Sequence, residues 1–149
     1  MEIKFQKYQA TGNDFVIVEA RDLSLNLTYS ELAQKICPRR NAIGSDGLIV
    51  IETAVEQDFR MQYFNSDGSG PIMCGNGARA AVHYSYQNIA PKNDYEFIAP
   101  DGLHRGQTND NMVAITMSEA EEIEQIELAD REAYLLNTGV PHLIIKQEI

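Results

Sequence analysis

Long apolar runs are missing from the sequence, and their absence excludes a membrane-spanning helix. The longest apolar stretches, such as residues 15–18 and 48–51, are a few residues each, far short of the roughly 20 that a transmembrane helix needs. The first residues alternate apolar and polar side chains and lack the apolar core of a secretory signal peptide. We therefore expect no membrane partner and a cytoplasmic location.

Basic residues are also few, with 12 lysines and arginines against 22 acidic residues and a formal net charge of −10. Phosphate binding needs a basic face, so this charge argues against a nucleic-acid partner. Seven of the carboxylates lie between residues 119 and 132. Because net charge mainly affects solubility, we interpret this acidic segment as a solvated connector.

Cysteine is scarce, since Cys37 and Cys74 are the two in the chain. The count allows a disulfide, but a reducing cytoplasm opposes it and a chain of 149 residues does not need it. A structural zinc site would need several histidines as well, and His83, His104 and His142 show no ligand spacing. We predict no metal, and we expect Cys37, placed late in a helix, to be packed rather than reactive.

The residues that are present suit a folded α+β domain. Hydrophobic residues make up 44% of the chain, enough for a sizeable core. Thr28 is placed to cap a helix from Tyr29, with Glu31 completing a capping box. A second helix is predicted over residues 78–86. Strand patterns outnumber these helices and occur at residues 1–8, 15–18, 48–52, 58–64, 95–99, 112–117 and 143–146.

Cys74 has the most chemically informative surroundings, because Gly75, Asn76 and Gly77 follow it at a predicted strand-to-helix junction. A helix N-terminus presents unpaired N–H groups and a partial positive charge, which stabilise a thiolate. Thiols in such positions can have a pKa of about 3.5–7.5 instead of about 8.5. The same N–H groups can hold a carboxylate. The alternative is a buried and inert cysteine.

Three asparagine-containing turns, around Asn13, Asn65 and Asn76, allow two interpretations. Each could be an ordinary turn, but several amides converging on one pocket would suit a zwitterionic amino acid. Arg79 either binds a carboxylate and favours the thiolate or forms an ordinary ion pair. His142 is either a general base or a plain loop residue, and its spacing does not decide between them.

Five motifs are distributed across almost the whole chain. They are TGNDF at 11–15, RRNAIGSDG at 39–47, DFRMQYFNSDGS at 58–69, MCGNGAR at 73–79 and NTGVPH at 137–142. In their order and spacing, these motifs together resemble the N-terminal part of diaminopimelate epimerase.

The resemblance implies a cofactor-independent epimerase that interconverts LL- and meso-diaminopimelate for lysine and peptidoglycan precursor synthesis. In that family one cysteine, as thiolate, removes the α-proton, and a second, as thiol, protonates the opposite face. Cys74 matches the first family cysteine, and His142 matches a histidine thought to help the thiol ionise. The substrate-binding positions of the family are matched by Asn13, Asn65, Gly75 and Asn76.

The implied fold is α+β, with two pseudo-symmetric domains that each wrap a mixed β-sheet around a central helix. Residues 1–118 would be the N-terminal epimerase domain, and residues 119–149 an acidic connector and the first strand of an incomplete second domain. The second family cysteine lies in that second domain, so this chain is either a fragment of a longer enzyme, which we expect, or a truncated protein. By itself it should be inactive. Val140 stands where some members have a substrate-binding asparagine. The expected partner is a small-molecule substrate, and a homodimer is left open.

Two alternatives stay open at this point. One is an isomerase of the same fold, of the proline racemase or phenazine-biosynthesis type, against which the GNDF motif and Arg39-Arg40 argue. The other is a non-catalytic ligand-binding or assembly domain, which the missing second cysteine favours. The role of Cys37 and the isomer that Cys74 deprotonates are undecided by the sequence.

Overall fold

The computed structural model describes residues 3–23, 26–109, 112–129, 131–138 and 140–146. The chain divides into two compact units, Met1–Thr116 and Met117–Ile149. In the described residues the first unit contains a seven-stranded sheet and two α-helices, and the second contains a three-stranded sheet. Within the same residues, no helix combines the length and the apolar character needed to cross a membrane.

The sheet of the first unit is mixed, and its strands lie in chain order. Strands β2 and β3 are parallel, as are β4 and β5, and the other neighbours are antiparallel. The strands are β1 (Gln6–Ala10), β2 (Asn13–Glu19), β3 (Gly47–Glu52), β4 (Phe59–Asn65), β5 (Asp94–Ala99), β6 (Gly102–Thr108) and β7 (Val113–Ile115).

Two helices pack on this sheet, α1 (Tyr29–Ile36) and α2 (Gly75–Asn88). Helix α2 contacts both outermost strands, β1 and β7, as well as β2, β3, β4 and β6 between them. The sheet therefore curls around α2, and α1 packs against β3 and β4. The predicted fold class, a mixed sheet wrapped around a central helix in an α+β domain, is confirmed.

Strands β2 and β3 are buried on both faces, which explains their unbroken apolar sequences. Successive side chains of a strand point to opposite faces of the sheet. The side chains that pack with α2 include Phe15, Ile17, Ile49 and Ile51. Those that pack with α1 include Val16, Val18, Leu48 and Val50.

Both helices begin at residues that cap them. Thr28 and Glu31 form the predicted capping box of α1, since Thr28 Oγ1 accepts from the Glu31 N–H and Glu31 accepts from the Thr28 N–H. Helix α2 begins at Gly75, three residues before the predicted start, because the Cys74 side chain is its N-cap. The low helix propensity of glycine hid this first turn from the sequence pattern.

Strand β6 was not predicted, because its buried positions are not apolar. His104 and Thr108 face the interior with Gly106 between them, whereas Leu103 is 59% exposed. The two ring nitrogens of His104 each lie 2.9 Å from an oxygen, one of Asp101 and one of the Thr116 carbonyl. Hydrogen bonds thus offset the burial of this polar side chain.

The second unit contains a strand in the acidic segment that we interpreted as a solvated connector, and the described side chains of that strand are mostly exposed. Its antiparallel strands are β8 (Glu121–Leu128), β9 (Arg131–Asn137) and β10 (Pro141–Ile145), in the order β10-β9-β8. Most of the acidic segment forms β8, because backbone pairing with β9 does not depend on side-chain charge. One carboxylate of the segment, Asp130, lies outside the described residues. The last predicted strand, at residues 143–146, largely coincides with β10, which pairs with β9. Assignment of this unit to an incomplete second domain stays a prediction.

Candidate active site around Cys74

The topology of the first unit brings several predicted site residues to one end of its sheet. Strands β2 and β3 are parallel, so Asn13 at the start of β2 and Gly47 at the start of β3 lie at the same end. Strand β4 runs the opposite way and ends there with Asn65, which pairs with Gly47. The contact between Asn13 and Cys74 places the N-terminus of α2 at this end as well.

Cys74 is half-buried and is the N-cap residue of α2, with extended backbone angles of φ −137° and ψ 111°. The Gly77 N–H donates to the Cys74 Sγ at 3.4 Å. A side chain at Gly77 would come within 3.5 Å of that sulfur, so glycine leaves the first turn open around the thiol.

Burial raises the pKa of the Cys74 thiol above its ordinary value. The N–H groups of Gly77 and Asn76 and the charge of Arg79 act in the opposite direction, and the charge of Asp46 adds a small increase. The sequence expectation of a lowered pKa is therefore wrong in direction, because desolvation outweighs the helix N-terminus. Burial in this structure therefore favours the protonated thiol of Cys74.

Asn13 joins Cys74 to a neighbouring carboxylate. Its side-chain nitrogen donates to Asp46 Oδ2 at 2.7 Å. Its side-chain oxygen lies 3.9 Å from Cys74 Sγ and accepts from Asn76 Nδ2 at 3.4 Å. The side-chain amides of Asn13 and Asn76 thus meet beside the thiol, and their role in binding an amino acid stays a prediction.

Asn76 is itself oriented by two side chains. Its Oδ1 accepts from Arg79 Nη2 and lies 3.0 Å from the hydroxyl of Thr11. Arg79 is therefore held beside the thiol by an amide, an arrangement that neither sequence interpretation anticipated. Thr11 was missed as well, although it belongs to the first motif and has a positive φ of 52°.

Asn65 is held at the end of β4 by local partners. Its Oδ1 accepts from the Tyr63 hydroxyl at 2.8 Å, and its Nδ2 donates to Ser69 Oγ at 2.8 Å. Burial, followed by the charge of Cys74, raises the pKa of Tyr63. Tyr63 was not singled out from the sequence. The glycine at position 47 was a possible sign of a large side chain packed closely there, because a Cβ on Gly47 would lie 2.3 Å from the Tyr63 ring.

An ion-pair network holds the loop after α1 against the start of β2. Arg39 donates to Asp14 through both terminal nitrogens, at 2.6 and 3.1 Å, and to Asp46 at 2.7 Å. Lys7 also pairs with Asp14 at 2.8 Å. The Arg39 guanidinium lowers the pKa of Asp14 well below its usual range. This network fixes the position of Asp46, which is the partner of the Asn13 amide.

Two further residues from the sequence analysis are Cys37 and His142. Cys37 is 1% exposed at the C-cap of α1, as predicted for a packed residue, and burial raises its pKa. His142 lies on β10 opposite Leu136 in the second unit, and its role near the thiol stays a prediction. In the described ranges, no three His, Cys, Asp or Glu side chains are grouped so that they could hold a metal ion.

The fold of the chain occurs in solved structures. A phenazine biosynthesis protein of the PhzF family from Bacillus anthracis matches with a TM-score of 0.65 and 17% identity, covering 96% of this chain and 54% of that one. At this identity the likeness concerns the fold. Fold and site together define the class as an α+β protein of PhzF-like fold with a thiol at the N-terminus of its central helix.

Sequence similarity is more specific than the fold. The model of the diaminopimelate epimerase family matches residues 5–124. A diaminopimelate epimerase from Flavobacterium psychrophilum is 41% identical over 141 residues, which covers 94% of this chain and 54% of the relative. One from Campylobacter lari is 41% identical over 146 residues, covering 95% and 56%. The chain belongs to the diaminopimelate epimerase family, and it spans about half the length of these curated relatives.

Proposed function

We propose that this chain supplies one half of a cofactor-independent epimerase that interconverts LL- and meso-diaminopimelate. The relatives that it matches bear the name diaminopimelate epimerase. The observation that carries the proposal is the half-buried Cys74 thiol at the N-terminus of the 14-residue helix α2. We expect the protein to act in lysine and peptidoglycan precursor synthesis.

The geometry around Cys74 suits removal of an α-proton. That proton is a very weak acid, so the reaction needs a base beside the α-carbon and stabilisation of the charge that develops. The N–H groups and the dipole at the N-terminus of α2 favour a carboxylate. Sγ of Cys74 lies beside these groups, as the 3.4 Å contact with the Gly77 N–H demonstrates. A substrate carboxylate held there would bring its α-carbon close to the sulfur.

Each predicted site residue has a role in this proposal. Cys74 exchanges a proton with the α-carbon, and Arg79 favours its thiolate. Burial raises the pKa of Cys74, so ionisation needs a group that assists it, and we assign this role to His142. The residues that bind the substrate are Asn13, Asn65, Gly75 and Asn76.

Inversion needs a second acid-base group on the opposite face of the α-carbon. Cys37 does not suit this role, since it is buried at the C-terminal end of α1, whereas Cys74 caps the N-terminus of α2. We propose that the second thiol belongs to the half of the relatives' length that this chain does not span. By this proposal the 149-residue chain binds substrate weakly and does not epimerise it.

The test uses the full-length protein from the source gene, with Cys74→Ala and Cys37→Ala as matched cysteine variants. We expect Cys74→Ala to abolish both interconversion of the isomers and exchange of the α-proton with deuterated solvent, followed by proton NMR. Cys37→Ala should keep activity within about threefold, because its thiol packs in the core. Wild-type turnover by Cys74→Ala would sink the proposal, and robust turnover by the 149-residue chain would sink the second-thiol part.

The alternatives from the sequence are separated by substrate. A proline racemase-like or phenazine-type isomerase would leave diaminopimelate unchanged and act on proline or on a phenazine precursor. A non-catalytic domain would bind a ligand without exchanging its α-proton. Running the same exchange assay on diaminopimelate, on proline and on a phenazine precursor therefore distinguishes the three.

A further inference from the structure

Asp46 is a residue to which none of the site roles above has been given, yet it contacts the site directly. Its Oδ2 accepts from Asn13 Nδ2 at 2.7 Å and from the Asp14 N–H at 3.1 Å. Its Oδ1 accepts from Arg39 at 2.7 Å. All three partners donate hydrogen bonds to this carboxylate. Asn13 and the Asp14 backbone therefore hold one of its oxygens, and Arg39 holds the other.

An asparagine amide can be placed in two orientations that differ by exchange of its oxygen and nitrogen. Asp46 selects between them at Asn13, because an ionised carboxylate accepts hydrogen bonds and cannot donate them. The nitrogen of Asn13 must therefore face Asp46, and the oxygen must face the thiol. Sγ of Cys74 lies 3.9 Å from that oxygen.

A second amide supports the same orientation from the other side. Asn76 Oδ1 accepts from Arg79, so Asn76 Nδ2 points to Asn13 and donates to its oxygen at 3.4 Å. The Asn13 oxygen is thus fixed as an acceptor by one carboxylate and one amide. A reversed amide would place two donors against each other at Asn76 and leave a carboxylate facing an oxygen.

We propose that Asp46 is a positioning residue that holds the Asn13 amide with its oxygen toward Cys74 Sγ and thereby favours the protonated thiol. This inference deepens the proposed function and rests on it only for the effect on turnover. The charged and titratable groups that influence the thiol are Asp46, Arg79 on α2 and Tyr63 on β4. An acceptor at the sulfur stabilises the S–H form, so its loss increases the thiolate fraction.

The central experiment is a double-mutant cycle with Asp46→Ala and Asn13→Ala in this chain. The rate of Cys74 alkylation by iodoacetamide is measured against pH, with mass spectrometry of the Cys74 peptide. Asp46→Ala should raise the rate at neutral pH about threefold, the effect of losing one weak hydrogen bond to the thiol. In the Asn13→Ala background the same substitution should change the rate less than about 1.5-fold, because little but the charge of Asp46 is then removed.

The matched control is Asp58→Ala. Asp58 also accepts a backbone N–H, that of Glu96 at 2.8 Å, and pairs with Lys92. Asp58 lies just before the first residue of β4, at the end of the strand opposite the site residue Asn65. The control should leave the alkylation profile of Cys74 unchanged. An equal effect of Asp46→Ala in both backgrounds would mean that Asp46 acts through its charge and would overturn the proposal.

A measurement on the unsubstituted chain covers the case in which Asp46→Ala does not fold. The side-chain NH₂ protons of Asn13 should show nuclear Overhauser effects to the Asp14 amide proton and none to the Cys74 β protons. The reverse pattern would refute the orientation. In the full-length enzyme, Asp46→Ala should shift the pH profile of kcat toward lower pH, and KM should rise as well because Asn13 is assigned to substrate binding. If that enzyme proves inactive on diaminopimelate, the alkylation cycle still tests the positioning role separately.

Discussion

Gly106 allows the central helix to approach the sheet, and its substitution tests the packing that positions α2. A Cβ at Gly106 would lie 2.5 Å from Val82 Cγ2, and its three nearest atoms all belong to Val82. Ordinary carbon contacts are about 3.5–4.0 Å, so the overlap would be about 1 Å or more. Gly106→Ala would therefore force either Val82 or the helix to shift.

The expected cost follows from two opposing effects. Overpacking a core costs about 1–3 kcal/mol, and replacing glycine by alanine recovers about 0.4–1 kcal/mol from the unfolded chain. We expect Gly106→Ala to lower the free energy of unfolding by about 1–2 kcal/mol. Val82→Ala should cost about 2 kcal/mol through lost burial, since Val82 is fully buried.

The decisive variant combines Gly106→Ala with Val82→Ala. The space vacated by the valine methyls receives the new methyl group, so the pair should cost about 2 kcal/mol and not the additive 3–4 kcal/mol. Urea unfolding of the 149-residue chain, followed by circular dichroism, measures all four free energies. Gly12→Ala is the control, because its methyl meets nothing within 4 Å and its cost should add to that of Val82→Ala. Additive costs for the Gly106 pair would refute the steric explanation.

Three other predictions concern a cap, an ion pair and the two thiols. Thr28→Ala should cost about 1 kcal/mol in thermal unfolding through loss of the α1 capping box, with a negligible loss counting against that cap. Asp14→Asn should destabilise the chain at pH 7. Because the pKa of Asp14 is lowered, the contribution of its ion pair to stability is complete above pH about 4 and declines as the pH falls below that value. A difference in urea midpoint between the two proteins that does not change with pH would contradict the ion pair. Iodoacetamide should modify Cys74 much faster than buried Cys37 in the folded chain, and equal rates by mass spectrometry would contradict the burial difference.

Much of the α+β core was predictable because local sequence and tertiary environment agree there. The apolar segments 15–18 and 48–51 fall within β2 and β3, which are buried on both faces. The capping box of α1 was visible as Thr28 and Glu31 at the required spacing. Cys74 was recognisable because the glycines and the asparagine after it are unusual around a merely packed cysteine.

Strands β6 and β8 were both missed because neither has the apolar alternation of a half-buried strand. His104 and Thr108 are buried on β6, so the strand gave no apolar alternation. The acidic segment looked like a connector, but backbone pairing made it β8. Each of these strands is defined by backbone pairing with an adjacent strand along the chain, β6 with β5 and β8 with β9, and a pattern of side-chain polarity does not report that pairing.

The sequence by itself determined the family, the identity of the thiol and the doubly buried strands, because motifs and apolar periodicity are local properties. The tertiary structure decided what surrounds the thiol. The parallel pairing of β2 with β3 brings Asn13 and Asp46 together, and the curled sheet places Cys74 beside them. It also decided the direction of the Cys74 pKa, since burial by the folded sheet outweighs the helix N-terminus that the sequence had revealed.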